Sequence, residues 1–421
     1  MRYTKGLHGI STALALLGAV IGFGYPADLL ASPANAPTKY LLFQIGTYGP
    51  VPAGMNPFIA TRIDIENEVD PILKAIGNER GDHTNQQLGF VVGPMGFDLT
   101  DDQLRTVIRD SFAVAEEKNI AAGFHIDDSM FWLRRRDLWS NPQNVEWSDW
   151  NGTVVPHRII GWALNGKPFL APPMCYTSPA IEAEVTRIAR DVIGAEIKKG
   201  IDHLAAIGKP YLFAGVIAGW ETRMQDDSQP PTYYGYCALH NIGYSAQNLP
   251  QDFDAALVGV VSNWIILWDK SLQAAGIPRE RIYTHIAFPG LHHPPNITNV
   301  IRDFNKDAPS DIVTFNQYSY PGFSIYNRNI LTDLYQVLAL HPDAPWGISE
   351  GNDIESDMSN PSRYTPVTTM EQYLAMAFNH GAIYVDLFGW GDNDSPFART
   401  ITSTSSVKAY QKFLEGKQLQ E

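Results

Sequence analysis

The sequence predicts an α/β fold, a single (β/α)8 TIM barrel, on three observations. Eight short apolar runs alternate with longer segments of helical period, the pattern of successive strand-helix-strand units in a parallel sheet. Most of these runs are nearly continuous in Leu, Ile, Val, Phe and Ala rather than alternating, as strands covered on both faces are. No Gly/Ser-rich linker, low-complexity tract or internal repeat divides the chain after its N-terminal segment, so residues 37–421 are expected to form one domain.

In order, the runs are Tyr40 to Gly46, Leu88 to Val92, Ala121 to Ile126, Tyr211 to Ile217, Ile282 to Ala287, Ile312 to Asn316, Trp346 to Ser349 and Ala382 to Phe388. Helix starts between them are marked by capping boxes at Thr100 with Gln103 and at Thr368 with Glu371, and by Ser178 ahead of a first-turn Pro179. The segment from Asp252 to Gly276 is amphipathic, and its Trp264 and Trp268, four residues apart, read as a core stripe. The longest irregular stretches, 127–177 after the third strand and 222–251 after the fourth, are candidate lids or binding walls.

The chain has 421 residues, 44% hydrophobic and 18% charged, with a formal charge of −14 and no basic run. That balance excludes a surface built for nucleic acid or anionic lipid. Residues 1–36 read as a secretion signal: Arg2 and Lys5 precede an apolar stretch from about Ile10 to Phe23, then small residues lead to Ala34-Asn35-Ala36. The expectation is an exported protein, periplasmic or extracellular, with no stable membrane insertion once the signal is removed. The apolar stretch is shorter than the ~20 residues a bilayer needs, and no other segment is expected to span one. In an oxidising compartment Cys175 and Cys237 could join, although two buried free thiols explain the count equally well.

Catalytic groups of such barrels sit at the C-terminal ends of the strands. The first run leads to Gln44 and Thr47, the second to Asp82, His83 or Asp98, and the third to His125, Asp127 and Asp128. The fourth ends in Trp220 and Glu221, the fifth holds His285, the sixth leads to Asn316, Gln317 and Tyr318, the seventh ends in Glu350, and the eighth leads to Trp390 and Asp392. Adjacent Asp127 and Asp128 point to opposite sides of an extended chain, so at most one faces the cavity; the bland alternative is capping of the next turn. His125 and His285 either bind hydroxyls or satisfy hydrogen bonds in the core. Ion pairing with Arg223 and with Arg363 are the structural alternatives for Glu221 and Glu350. Neither Asp392-Asn393-Asp394 nor His292-His293 has the ligand spacing of a metal site, so no metal is expected. Of ten tryptophans, Trp132, Trp139, Trp147, Trp150 and Trp162 fall after the third strand, where they form either sugar-stacking subsites, with Tyr233, Tyr234 and Tyr236 on the same wall, or a small aromatic core.

Carboxylates ending the fourth and seventh runs give the chain a resemblance to the clan A glycoside hydrolases. So does the short apolar run that ends in the nucleophile, here Gly347-Ile348-Ser349-Glu350-Gly351-Asn352, and so does Trp390 at the eighth strand, where the clan places an aromatic residue beneath the sugar. The resemblance implies a retaining glycosidase acting on β-linked sugars without a cofactor, with Glu221 as acid/base and Glu350 as nucleophile. Candidate substrate contacts, read from their places at strand ends, are Asp127 or Asp128, His125, Trp220, His285, Asn316, Gln317 and Tyr318, and the resemblance adds Trp390. One departure is Trp220, where the clan usually has the Asn that bonds the sugar; Asn316, Gln317 or His285 would supply that contact.

A glycosidic oxygen leaves poorly until protonated, and an oxocarbenium-like transition state needs a negative partner, so one carboxyl must be neutral and the other charged. The expectation is a desolvated, protonated Glu221 flanked by Trp220 and a better hydrogen-bonded, ionised Glu350. The implied partner is an oligosaccharide or glycoside. Two rivals remain at this point: an inverting or lytic enzyme using Asp127 or Asp128, and a non-catalytic exported carbohydrate-binding protein.

Overall fold

Alternation along the first strand decides which side chains fill the barrel. In the computed structural model this strand, Lys39–Gly46, turns Tyr40 and Leu42 inward, onto an interior cluster with Val91, Ala121, Ala214, Tyr283 and Tyr384, while Leu41 and Phe43 face the helical layer. The structure describes residues 37–46, 61–83, 85–129, 131–156, 158–159, 170–222, 224, 234–287, 315–325, 334–339, 341–342, 344–355, 369–390, 401 and 403–421.

The other strands are Gln86–Met95 (two), Ala121–Ile126 (three), Phe213–Ala218 (four), Gly322–Ile325 (six), Trp346–Asn352 (seven) and Ala382–Gly389 (eight). Strand five is interrupted at His285: Ile282–Thr284 pairs with strand four, and Ile286–Ala287 pairs with strand six. Every pairing within the barrel is parallel, and strand eight returns to strand one through Tyr384 opposite Tyr40. The ring of eight therefore closes through a seam at a histidine.

Seven of the eight apolar runs form barrel strands. The sixth differs: Phe315 and Asn316 lie in a turn, 312–314 lie outside the described residues, and the strand is Gly322–Ile325. A Cβ on Gly322 would stand 2.0 Å from Ser349 Oγ, so only glycine fits beside strand seven.

The box at Thr100 with Gln103 forms as read, whereas the later one belongs to Thr369 with Gln372, one position on from Thr368, which lies outside the described residues. Ser178 caps a helix with Pro179 in its first turn, but its hydroxyl bonds Asn144 instead of the helix. Phe253–Ala274 is one helix, capped by Asp252, with Trp264 and Trp268 buried. By length and composition it qualifies as a membrane span, contrary to the expectation that no segment beyond the N-terminus would; its buried face belongs to the protein core. Cys175 and Cys237 are both buried free thiols.

Strands seven and eight pack tightly through Gly347, where an added Cβ would stand 1.9 Å from the ring of Tyr384. Tyr384 is fully enclosed and has no room to retreat. Gly347→Ala is expected to lower unfolding free energy by about 1–3 kcal/mol in urea denaturation, the cost of overpacking a filled core.

Candidate active site

The parity that turns Tyr40 and Leu42 inward also turns Gln44 inward, two residues further along strand one, and likewise brings His125 inward at the end of strand three. Both are fully buried. His285 enters at the seam of strand five. On strand seven, Ser349 already faces the interior, donating to Thr284 O at 2.8 Å. A regular strand would then send Glu350 outward. The register slips between Ile348 and Glu350 against strand six, and between Ile348 and Gly351 against strand eight, and this bulge aims Glu350 inward as well.

Strand four ends in a sharp turn. Gly219 has φ 112°, and Glu221 has φ 51°, the left-handed region that a side-chain-bearing residue occupies at a cost of about 1–3 kcal/mol. Asp128 holds the turn from both sides: it accepts from Trp220 N–H at 3.2 Å and from the Thr222 hydroxyl, and Trp264 Nε1–H donates to it at 2.9 Å. Trp220 stacks on His125 with ring centroids 4.5 Å apart. Strand three thus carries the groups that set the position of Glu221.

These elements bring Glu221, His285 and Glu350 together, with one donor atom of each within 4.8 Å of the others. His285 Nε2 lies 2.6 Å from Ser324 Oγ and 3.1 Å from Glu350 Oε2. The second contact is an ion-pair distance without hydrogen-bond alignment, since Oε2 makes no hydrogen bond. With the imidazole already engaged at close range, the group reads as two carboxyls sharing a histidine.

Burial pushes the Glu350 carboxyl up to about 7; the nearby His285 pulls it down, and Glu221 pushes it further up. Burial alone would lower His285, but its contact with Glu350 and the proximity of Glu221 leave it raised. His125, fully buried beside His285, is held well below its ordinary value. The expected division of environments is therefore reversed: Glu350 is 5% exposed, with Oε2 making no hydrogen bond, while Glu221 is half-buried.

Several predicted contact residues have other partners. Asp127 accepts from the backbone N–H groups of Ser129 and Phe131 and so caps the turn after strand three, the bland alternative for it. Asp128, fully buried, is the clamp described above. Asn316, with Gln317 and Tyr318 beside it, precedes strand six instead of following it. Asn316 bonds Asp269 and Ser319, whereas Ser324, eight positions on, is level with Glu350. These three residues therefore lie ahead of strand six, with Asn316 buried and Gln317 exposed.

Trp390 is buried, edge-on to Phe43, and donates to Gln44 O at 3.2 Å, so it offers no open face. Trp132 and Trp147 are buried in the main hydrophobic core, and Trp139 and Trp150 pack partly buried against it. Thr47, Trp162, Arg223, Tyr233, His292, His293, Arg363, Asp392, Asn393 and Asp394 lie outside the described residues. Sequence reasoning did not assign Gln44, Ser324 or the clamping role of Asp128; inward parity was the available signal for Gln44.

No protein-family model and no curated protein matches the chain. Among solved structures it is similar to a broad-specificity endoglucanase from an uncultured bacterium, at TM-score 0.46 and 10% identity over 90% of this chain and 93% of that one. A glycoside hydrolase family 5 enzyme from Prevotella bryantii gives 0.42 and 11% over 90% and 99%, and a β-mannanase from Bacteroides ovatus gives 0.36 and 10% over 90% and 88%. At these scores the functional reading rests on the site geometry.

Two outcomes follow from the site's energetics. Asp128→Ala strands three buried donors and is expected to cost at least about 3 kcal/mol in urea denaturation, with activity falling as the turn at Glu221 relaxes. For Glu350, whose carboxyl titrates near 7 when folded against an ordinary 4.5, folding takes up a proton between those values. Its burial therefore weakens the fold increasingly as pH rises through that window, by up to about 3 kcal/mol above it. Glu350→Gln is expected to stabilise the protein at about pH 8 and to make little difference at about pH 4, as read by thermal unfolding at both pH values.

Proposed function

We propose that this protein is a retaining glycoside hydrolase of β-linked sugars in which Glu221 is the acid/base and Glu350 the nucleophile. One observation carries the reading: carboxyls at the ends of strands four and seven approach within 4.8 Å. Retaining enzymes hold the pair about 5–5.5 Å apart, whereas inverting enzymes leave about 6.5–9.5 Å for a water. With their oxygens occupied by turn and clamp hydrogen bonds, Asp127 and Asp128 are poor substitutes for either glutamate. The preference for β-linkages rests on the order of these carboxylates along the barrel, which resembles clan A.

In the first step a Glu350 oxygen bonds to the anomeric carbon as the bond to the leaving oxygen breaks, and Glu221 gives that oxygen its proton. In the second, Glu221 takes a proton from a water whose oxygen attacks the same carbon and releases Glu350. Half-buried Glu221 has access to both the leaving group and the water. The carboxyl of buried Glu350, with Oε2 making no hydrogen bond, is a reactive anion once ionised. We further infer export, on the N-terminal Arg2, Lys5 and apolar stretch, with the mature chain beginning near residue 37.

Wild type is expected to turn over at least one member of an aryl β-glycoside panel with retention at the anomeric carbon, followed by NMR, while Glu350→Gln loses several orders of magnitude in kcat. Because the nucleophile must be ionised, kcat/KM for activated substrates is expected to fall as pH drops below about 7. Binding without turnover across the panel would favour the non-catalytic alternative, and inverted product would remove Glu350 from its role.

A further inference from the structure

The geometry points to His125 as a positioning residue: a chain from Gln44 through His125 holds His285 with both ring nitrogens protonated, one of them facing Glu350. This rests on the reading of Glu350 as nucleophile. His125 is fully buried, with Trp220 stacked on its ring, and on another side an added Cβ on Gly93 would come within 2.5 Å of its own Cβ. A covered ring of this kind has no face for a sugar.

Its nitrogens have defined partners. His125 Nδ1–H donates to Gln44 Oε1 at 2.8 Å, which leaves Nε2 as an acceptor, 2.9 Å from His285 Nδ1. The Gly219 carbonyl, 3.1 Å from the same His125 nitrogen, shares the Nδ1–H of His285. His285 Nε2 then turns its own proton toward Ser324 Oγ at 2.6 Å, with Glu350 Oε2 at an ion-pair distance of 3.1 Å from the same nitrogen. Four elements face this imidazole: strand three with His125, the turn after strand four with Glu221, strand six with Ser324 and strand seven with Glu350. The two carboxyls favour the cation, and His125, kept neutral by burial, accepts from it. A fixed positive neighbour favours the ionised form of a nucleophile that burial would otherwise protonate. As with a metal-ligating histidine, the outer partner of the imidazole sets which nitrogen faces the reactive group.

His125→Phe removes the acceptor, and His125→Gln restores one through its side-chain oxygen. With an activated aryl glycoside, the Phe variant is expected to keep KM near that of wild type, lose about tenfold in kcat/KM at neutral pH, and shift the acid limb of its pH profile upward by about one unit. The Gln variant is expected to return the limb toward wild type. A uniform loss at every pH, or a Gln variant no better than Phe, would overturn the proposal. Nitrogen-15 NMR of histidine-labelled wild type provides a readout that needs neither a substituted protein nor turnover. One imidazole protonated on both nitrogens at neutral pH, hydrogen-bonded to a neutral one, is the expected spectrum, and two singly protonated rings would refute it. If no glycoside is cleaved, the glycosidase reading fails while the spectrum still decides this one.

Discussion

Two carboxyls brought within 4.8 Å, Glu350 buried and Glu221 half-buried, repel each other and Glu350 resists desolvation, and the neighbouring His285 offsets both penalties. Much of the surrounding architecture follows from that constraint. His285 faces the interior beside Glu350 by the same alternation that turns Tyr283 inward two residues earlier, at the break in strand five. Ser324 and His125 then fix the imidazole from either side.

The constraint is met by departures from regular structure. A bulge turns Glu350 inward next to an already inward Ser349, and a left-handed residue carries Glu221 at the end of strand four. Neither departure is favourable alone, and each is held by its neighbours: strands six and eight flank the bulge, and Asp128 with Trp264 clamps the turn. Irregular backbone at both glutamates places local strain at the candidate site, alongside register shifts on strands two and three and the break in strand five. The fully enclosed Tyr40, Tyr283 and Tyr384 beneath them form a rigid floor that keeps these positions from relaxing.

Much of this was legible in the sequence, for physical reasons that differ by residue. Continuous apolar runs mark strands covered on both faces, and polar residues at their ends identified Glu221, Glu350, His125 and His285, because a closed parallel barrel leaves few other places for them. The sixth strand was read at Ile312 to Asn316 on apolar content, but Phe315 and Asn316 lie in a turn and the described strand beside Ser349 is Gly322–Ile325, where only glycine fits, so Asn316, Gln317 and Tyr318 precede it. Asp128 looked like a ligand because its partner Trp264 lies 136 positions away, beyond the reach of any local pattern. The relative burial of the two glutamates was reversed because a single-residue bulge decides it, and a bulge leaves no mark in hydrophobic periodicity.

The most direct test of Glu350 as nucleophile is to trap the covalent intermediate with a fluorinated aryl glycoside that slows its hydrolysis, and to locate the label by mass spectrometry of peptides. The account predicts one sugar per chain, attached through an ester to Glu350 and absent from Glu350→Gln. A label on any other side chain, or turnover with retention by the Gln variant, would contradict it.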